Sequence, residues 1–237
     1  MSTDKATNPV NVMGASKKLM EGVLLASADV LPVTTARFAN VAFSNGSLLA
    51  GFLERLRKRQ PFSSPKDVRR YFVSPEESGQ LCLLACTLGA PGEIFFPKLR
   101  EEQMMRFSDI AVALLGELGM QPLFCASEEE ARAAAARMPE HPREWPVYFF
   151  ESDTSGEKMY EEFYGPEETV DMDRFHALGV VQGRRFLSQA QVEGAMAELE
   201  AMCRRSDLTK ADWVSWLERY VPDFAHKETG KSLDAKM

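Results

Sequence analysis

Apolar and polar side chains recur along this chain with two different periods, and the order of these segments predicts alternating helices and strands. Between residues 8 and 28, apolar positions are separated by three and four residues, a spacing typical of an amphipathic helix. Asn8 followed by Pro9 is typical of a helix start, because asparagine caps free amides and proline fits the first turn. One face of this helix carries Met13, Lys17, Met20 and Leu24.

The next segments continue the alternation. Residues 33–43 are rich in β-branched and aromatic side chains and predict a buried strand, and residues 45–56 predict a turn that leads into a helix. Residues 69–74 predict a short extended segment, and the helix that follows covers residues 75–89. Glycine and proline then bound a predicted strand at residues 92–97.

The second half of the chain has the same organisation. Residues 108–119 predict a helix that is capped by Ser108 and ends at Gly119. Ser127 and Glu130 have the spacing of a capping box, which predicts a helix to about Met138. The other predicted elements are strands over 122–125 and 146–152 and helices near 188–204 and 209–220. Strands that alternate with helices indicate an α/β fold.

Composition and charge describe a globular protein and exclude two classes of function. With 237 residues, 45% of them hydrophobic, the chain predicts one large domain or two small ones. No run approaches the roughly 18 apolar residues of a membrane span. The net charge of −7 argues against a nucleic-acid-binding protein, because such proteins need a basic surface, and any anionic ligand must be held locally.

One basic run and four cysteines have simple structural interpretations. Residues 54–60 close an apolar helical stretch, and we interpret their cations as complementing the helix C-terminus rather than contacting a membrane. Cys82 and Cys86 are four residues apart in an apolar stretch and predict packed core thiols rather than a metal site. Because Cys82, Cys86, Cys125 and Cys203 lack disulfide-framework spacing and no signal peptide is present, we expect a cytoplasmic protein.

The opening stretch "STDKATNPVNVMGASKK" resembles the catalytic region of extended short-chain dehydrogenases, specifically the 4,6-dehydratases that act on UDP-N-acetylglucosamine. Three further segments resemble the same polysaccharide biosynthesis family, and the likeness continues more faintly through residues 155–163. These segments read "ARFANVAFSNGSLL", "RRYFVSPEESGQLCLLA" and "GEIFFPKL" and bring the likeness to about residue 99. The resemblance implies the C-terminal portion of an extended Rossmann-type fold, with an incomplete parallel sheet, a substrate-binding subdomain and a helical C-terminus.

The resemblance also implies a division of the chain. Residues 1–45 correspond to a remnant of the NAD-binding domain with the catalytic segment, 46–165 to the nucleotide-sugar domain, and 166–237 to a C-terminal helical extension and tail. The family's Rossmann half carries a GxGxxG turn that binds pyrophosphate, and this sequence contains no GxGxxG. We therefore expect that this half is missing, through a misplaced start or a broken reading frame, and that the chain alone binds NAD weakly or not at all.

The resemblance assigns roles to the opening residues. The family's lyase reaction transfers a hydride from C4 to NAD, eliminates water across C5 and C6, and returns the hydride to C6. Asp4 corresponds to the acid of the elimination, Lys5 to the base, and Thr3 lies near the C4 oxygen. Lys17 holds the nicotinamide ribose and, with Asn40, forms the cofactor contact. Met13 occupies the place of the family's tyrosine base and, as a thioether, cannot move a proton.

Substrate contacts follow from the same comparison. By resemblance, the residues that line the nucleotide-sugar are Asn40, Ser44, Asn45, Ser47 and Arg70, with Lys98 and Lys158 as weaker candidates. Arg70 is expected to bind phosphate as a fork of donors. The sequence departs from the family at Asn45 and Thr154, where relatives carry arginines that bind phosphate. The resemblance also implies a homo-oligomer, because the lysine helix belongs to a helix pair that forms dimers in this superfamily.

Three alternatives remain open at this stage. The first alternative is a non-catalytic fragment or degenerate homologue that binds a nucleotide-sugar or pairs with a complete dehydratase. The second is a nucleotide-sugar epimerase, a neighbouring class that uses a tyrosine where this chain has Met13. The third is a Ser-xx-Lys hydrolase, since Ser2 and Lys5 have the spacing of that dyad.

Overall fold

The computed structural model describes residues 1–152, 161–183 and 185–226. Seven α-helices lie in the described residues: α1 (Val12–Ala26), α2 (Leu48–Arg57), α3 (Pro75–Leu88), α4 (Phe107–Glu117), α5 (Glu128–Ala136), α6 (Gln189–Cys203) and α7 (Lys210–Tyr220). Twelve strands lie there as well: β1 (Ser2–Thr3), β2 (Thr35–Phe38), β3 (Asn40–Val41), β4 (Phe62–Pro65), β5 (Arg69–Arg70), β6 (Phe72–Val73), β7 (Glu93–Pro97), β8 (Met105–Arg106), β9 (Gln121–Phe124), β10 (Glu144–Phe150), β11 (Thr169–Asp171) and β12 (Leu178–Gln182). The predicted α/β fold is confirmed.

The main sheet has five strands in the order β1-β2-β7-β12-β11. The strands β1, β2 and β7 run parallel, whereas β12 and β11 continue the sheet antiparallel. Its centre is hydrophobic, because Phe95 and Val180 are fully buried on one face and Ile94 and Val181 on the other. The helix α3 packs against β2 and β7 through Leu81 and Ala85.

A second, three-stranded sheet has the order β4-β10-β9 and is parallel throughout. It has its own core, in which Phe52 of α2 stacks on Phe62 of β4 with ring centroids 4.7 Å apart. Trp145 and Val147 of β10 and Leu115 of α4 complete this core. Two short pairs, β3 with β6 and β5 with β8, form separate two-stranded sheets.

The first helix begins later than predicted. Asn8 has a φ of 46° and lies in a turn, and its side-chain amide donates to Glu162. Asn11 is the actual cap, because its Oδ1 accepts the Gly14 N–H at 2.8 Å. A Cβ at Gly14 would lie 2.6 Å from the Lys5 carbonyl oxygen, so glycine allows α1 to contact the 3₁₀ turn Asp4–Ala6.

Other local predictions are wrong in detail. Ser108 lies inside α4, whose preceding residue Arg106 makes no side-chain cap. Ser127 caps α5 as predicted, but Glu130 accepts the backbone N–H of Ala126 and does not close a capping box. Cys86 is exposed and is therefore not a core thiol.

The strands β11 and β12 were not predicted, and they extend the main sheet past β7. This sheet thus combines strands from residues 1–45, from 93–97 and from 169–182. The helices α6 and α7 were predicted, and they pack on α1 through a cluster that includes Leu19, Ala195 and Trp216. The division of the chain at residues 45 and 165 stays a prediction.

Candidate active site

The predicted acid and base follow the carboxyl ends of parallel strands. Thr3 of β1 pairs with Phe38 of β2, so the turn after β1 and the residues after β2 lie at one edge of the sheet. Asp4 and Lys5 come directly after β1, and Asn40 comes two residues after the end of β2. In parallel α/β sheets this edge is where ligands bind.

Four of the predicted residues form one hydrogen-bonded group, which we call the Asp4 cluster: Thr3, Asp4, Lys5 and Asn40. The Thr3 hydroxyl donates to Asp4 Oδ1 at 2.7 Å, and Lys5 Nζ donates to the same oxygen at 3.2 Å. Lys5 Nζ also donates to Asn40 Oδ1 at 3.2 Å. Asp4 is 1% exposed, whereas the Lys5 side chain is 27% exposed. A buried carboxylate and an accessible amine are therefore in direct contact.

Backbone pairing holds Asn40 in this cluster. Its N–H donates to the Tyr71 carbonyl at 3.1 Å, and Asn40 pairs with Phe72 in the parallel pair β3–β6. Its side-chain oxygen is used by Lys5, and no described residue accepts from its side-chain NH₂. The amide of Asn40 can therefore donate to a ligand while its oxygen orients Lys5.

Met13 and Lys17 lie on α1 beside the turn that carries Asp4 and Lys5. Gly14, the neighbour of Met13, contacts the Lys5 carbonyl closely, and this contact sets the start of α1 against that turn. Met13 is 55% exposed. Lys17 is half-buried, and its ammonium has no hydrogen bond or ion pair with any described residue. The structure therefore places both near the Asp4 cluster but does not join them to it.

The predicted substrate loop has structural bonds of its own. The Ser47 hydroxyl accepts the Ala50 N–H at 3.1 Å and caps α2. The Ser44 carbonyl accepts the Ser47 N–H at 3.0 Å, and Asn45 is exposed. None of these side chains is hydrogen-bonded to the Asp4 cluster, so the loop stays a predicted substrate contact.

Arg70 and Lys98 have different surroundings. Arg70 is buried, two residues before the strand partner of Asn40, and its Nη1 donates to the Arg69 carbonyl at 2.8 Å. Lys98 Nζ donates to the carbonyls of Met172 and Phe175, so it anchors the segment between β11 and β12. Lys158 and Thr154 lie outside the described residues.

A buried ionic network that contacts β1 through Ser2 was missed by the sequence analysis. Arg37 is 0% exposed, and its Nε and Nη2 donate to Glu21 at 2.9 and 2.7 Å. Its Nη1 and Nη2 donate to Glu168 at 2.7 Å each, and Nη1 also donates to the Phe163 carbonyl at 2.8 Å. Ser2 completes the network by donating to Glu21 at 2.5 Å. The signal in the sequence was a lone arginine inside the apolar strand 35–38.

The network also stabilises the charged forms of Glu168 and Arg37. Burial alone would raise the pKa of Glu168, but hydrogen bonds and charge from Arg37, with help from Lys18 and the Gly165 N–H, lower it to about 2. Burial alone would lower the pKa of Arg37, and the two carboxylates instead raise it above its ordinary value. Because Ser2 pairs with Arg37 in the sheet, the strand that carries Thr3 is tied to this network.

The same contacts argue against a serine–lysine dyad. The Ser2 hydroxyl donates to Glu21, whereas Lys5 Nζ donates to Asp4 and Asn40. Since both groups are bonded elsewhere, the hydrolase alternative has no geometric support in the described residues.

A pocket of about 400 Å³ is lined in part by Tyr71, whose backbone carbonyl accepts the Asn40 N–H. Its lining includes Arg69, Leu99, Phe163 and Tyr164. Burial, followed by the negative charge of Glu101, raises the pKa of Tyr71. The volume falls within the range of about 300–1,000 Å³ that is usual for small-molecule sites.

Two kinds of feature are not found in the described residues. No helix there is long and apolar enough to cross a membrane. No group of three or more His, Cys, Asp or Glu side chains in the same part of the chain is placed to hold a metal ion.

Known proteins resemble this chain over part of their length. An uncharacterised membrane protein of Methanocaldococcus jannaschii is 31% identical over 188 residues, which cover 76% of this chain and 50% of that protein. The capsular polysaccharide biosynthesis protein CapD of Staphylococcus aureus is 36% identical over 99 residues, 40% of this chain and 16% of CapD. A UDP-glucose 4-epimerase of Rickettsia canadensis is 38% identical over 106 residues, 41% of this chain and 30% of the epimerase. The chain thus spans half or less of the length of these relatives.

The fold has a counterpart among solved structures. The X-ray structure of Pen from Bacillus thuringiensis superposes with a TM-score of 0.59 and 17% identity, covering 79% of this chain and 53% of Pen. The family described as Polysaccharide biosynthesis protein matches residues 1–182. This match agrees with the resemblance seen in the opening motif and its three companion segments. Since it covers most of the 237 residues, the chain belongs to this polysaccharide biosynthesis family.

Proposed function

We propose that the chain carries the acid–base site of a nucleotide-sugar 4,6-dehydratase that acts on a UDP-N-acetylglucosamine-like substrate in surface polysaccharide synthesis. The observation that carries the proposal is the 3.2 Å contact between Lys5 Nζ and Asp4 Oδ1 at the carboxyl edge of the sheet. Elimination of water across C5 and C6 needs a base for the C5 proton and an acid for the C6 hydroxyl. An adjacent amine and carboxyl meet this requirement.

The contact between Lys5 and Asp4 supports a simple sequence of proton transfers. A proton that moves from Lys5 to Asp4 across their contact leaves a neutral amine beside a carboxylic acid. The amine can then accept the C5 proton, and the acid can protonate the leaving C6 hydroxyl. Asn40 keeps Lys5 oriented through its side-chain oxygen. We place the Thr3 hydroxyl beside the C4 oxygen. The Met13 thioether cannot take the C4 hydroxyl proton, so this proton passes to water.

The residues fit NAD only in part. Lys17 has a half-buried ammonium that no described residue binds, and Asn40 has a free side-chain donor, so both suit hydroxyls of the nicotinamide ribose. The sequence has no GxGxxG turn for the pyrophosphate. When bound, NAD supplies the hydride acceptor and donor of the reaction. Weak or absent binding of NAD to this chain by itself is part of the proposal.

The substrate contacts and the three-part division belong to the same proposal. We assign the pocket lined by Arg69 and Tyr71 to the nucleotide-sugar, and Arg70 and the Ser44–Ser47 loop stay predicted contacts that do not line this pocket. Lys98 is already bonded to two carbonyls, so we give it a positioning role. Self-association through α1 stays a prediction.

The test is an elimination assay with UDP-N-acetylglucosamine and NAD, run on the chain by itself and with the dinucleotide-binding half of a CapD relative added. Mass spectrometry detects the loss of one water, and D₂O reports exchange at C5. We expect product in the complemented reaction, and its loss in Asp4→Asn and Lys5→Met. Lys66→Met, an exposed lysine away from the cluster, is the matched control. Complementation without product or C5 exchange would favour the non-catalytic alternative.

Epimerisation at C4 is the second candidate, because relatives named UDP-glucose 4-epimerase match the chain. An epimerase product retains its water and inverts C4, so the same assay separates the two reactions. The adjacent Asp4 and Lys5 favour elimination, since inversion at C4 needs no acid at C6.

A further inference from the structure

The basic run at residues 54–60 contains one arginine that differs from its neighbours. Arg57 and Lys58 form ion pairs with Glu54 at 3.6 and 3.1 Å, and Arg59 donates to backbone carbonyls in the segment 138–140. Arg55 is half-buried, and its Nη1 donates to the Pro61 carbonyl at 3.0 Å. No carboxylate in the described part of the chain lies within ion-pair distance of it.

Arg55 lines a pocket at the edge of the second sheet. The pocket has a volume of about 220 Å³ and is bounded by α2, α5, β4 and β10. Ser63 and Tyr148 are direct partners in the parallel pair β4–β10, so their side chains extend from the same face of the sheet. Gln60 and Arg132 add an amide and a second guanidinium.

The pocket has an excess of positive charge. Glu128 is its carboxylate, and it accepts from Arg132 Nε and Nη2 at 2.9 and 2.5 Å. Arg55 has no carboxylate within ion-pair distance among the described residues, so two guanidinium groups face one carboxylate. Burial, and then the positive charge of Arg132, lower the pKa of the Arg55 guanidinium, and the charge of Glu128 only partly offsets this shift. A half-buried cation next to a second cation is unfavourable unless an anion offsets it.

We propose that this pocket binds a phosphate group, free or as a small phosphomonoester, between Arg55 and Arg132 with the Ser63 and Tyr148 hydroxyls as further donors. Guanidinium groups suit phosphate because their planar forks donate two parallel hydrogen bonds. The volume lies below the roughly 300–1,000 Å³ of sites for larger ligands, so a nucleotide-sugar does not fit. The site lies on other elements than the Asp4 cluster, and the proposal goes beyond the dehydratase function.

The test is isothermal titration of the purified chain with inorganic phosphate and, separately, with glycerol 3-phosphate, against sodium chloride of equal ionic strength. We expect saturable binding of phosphate, and a loss of about tenfold or more in affinity for Arg55→Gln and for Arg132→Gln. Arg57→Gln, on the same helix but with an exposed side chain, should keep the wild-type affinity. Circular dichroism checks that each variant is folded.

Two further variants keep the test decisive if an arginine variant fails to fold. Ser63→Ala and Tyr148→Phe remove single hydroxyls, and each should weaken phosphate binding while chloride has no effect. Binding of glycerol 3-phosphate as well would extend the site to monoesters, and binding of inorganic phosphate only would restrict it to the free ion. Absence of saturable binding, or equal losses in Arg57→Gln and Arg55→Gln, would overturn the proposal. The readout is independent of any dehydratase activity.

Discussion

Arg37 of β2 and Glu21 of α1 form a doubly hydrogen-bonded ion pair in which the arginine is 0% and the glutamate 1% exposed. Removing one partner leaves the other charge buried, which costs about 3–5 kcal/mol. We expect Arg37→Met to lower the free energy of unfolding by such an amount in urea titrations, and Glu21→Gln to lower it by less, because Glu168 still pairs with Arg37. Arg204→Met, which breaks the exposed pair with Glu200, should change it by less than about 0.5 kcal/mol.

Glu168, the second carboxylate of this network, makes the free energy of unfolding depend on pH in acid. Glu168 has a pKa of about 2 in the folded protein against an ordinary value of 4.5. The unfolded chain therefore takes up this proton first as the pH falls. The stabilisation is complete above about pH 4.5 and is lost between that pH and about 2; the shift corresponds to the order of 3 kcal/mol. Urea unfolding across this range measures it, and Glu168→Gln should flatten the slope. An unchanged slope in the variant would contradict the assignment.

Two helix glycines give opposite predictions for the same substitution. A Cβ at Gly14 would lie 2.6 Å from the Lys5 carbonyl, whereas a Cβ at Gly51 would meet nothing within 4 Å. We expect Gly14→Ala to destabilise the protein by about 1–3 kcal/mol, because the backbone turn that holds Asp4 must move. Gly51→Ala should stabilise it by about 0.5–1 kcal/mol through helix propensity. Thermal unfolding of the two variants compares them directly.

Met13 allows a test by gain of function. The side chain is 55% exposed, so Met13→Tyr should change the free energy of unfolding by less than about 0.5 kcal/mol; the sequence resemblance predicts that this position corresponds to the family's tyrosine base. In the complemented assay we expect faster reduction of NAD, because a phenol one helical turn before Lys17 can take the C4 proton. Met13→Phe, with a similar ring and no hydroxyl, is the control. Equal rates for the two variants would show that this position has no part in proton transfer.

The sequence predicted those parts of the fold that depend on local patterns. Helices α2, α3, α6 and α7 and strand β7 lie where the spacing of apolar residues and the flanking glycine, proline and capping residues predicted them. The start of α1 was misplaced because Asn8 and Asn11 both have capping chemistry, and only the tight contact at Gly14 selects the second. The strands β11 and β12 were missed because a three-residue strand and a glycine-containing one gain stability from sheet pairing, β12 with β7 and β11 with β12, rather than from their own composition.

The candidate site also has one part that the sequence predicted and another that only the structure shows. Family likeness identified Asp4, Lys5 and Asn40, and the hydrogen bonds of the structure bring these three together. The Arg37 network joins residues that are 16 and 131 positions apart, so no local pattern contains it. Arg55, which has no ion pair with a described residue, could be recognised only once the neighbouring cations Arg57 and Lys58 were seen to pair with Glu54.

The strand β1 has two residues and lies at one end of the five-strand order among the described residues. Thr3 and the Asp4–Lys5 pair thus lie at this edge of the described sheet, which is held by the pairing of β1 with β2 and by the Ser2–Glu21 and Lys5–Asn40 hydrogen bonds. Amide hydrogens of β1 and of the Asp4–Lys5 pair should exchange with solvent sooner than those of β2 or β7. A reaction that depends on these residues would therefore be lost through local unfolding of β1 under conditions in which β2 and β7 stay folded.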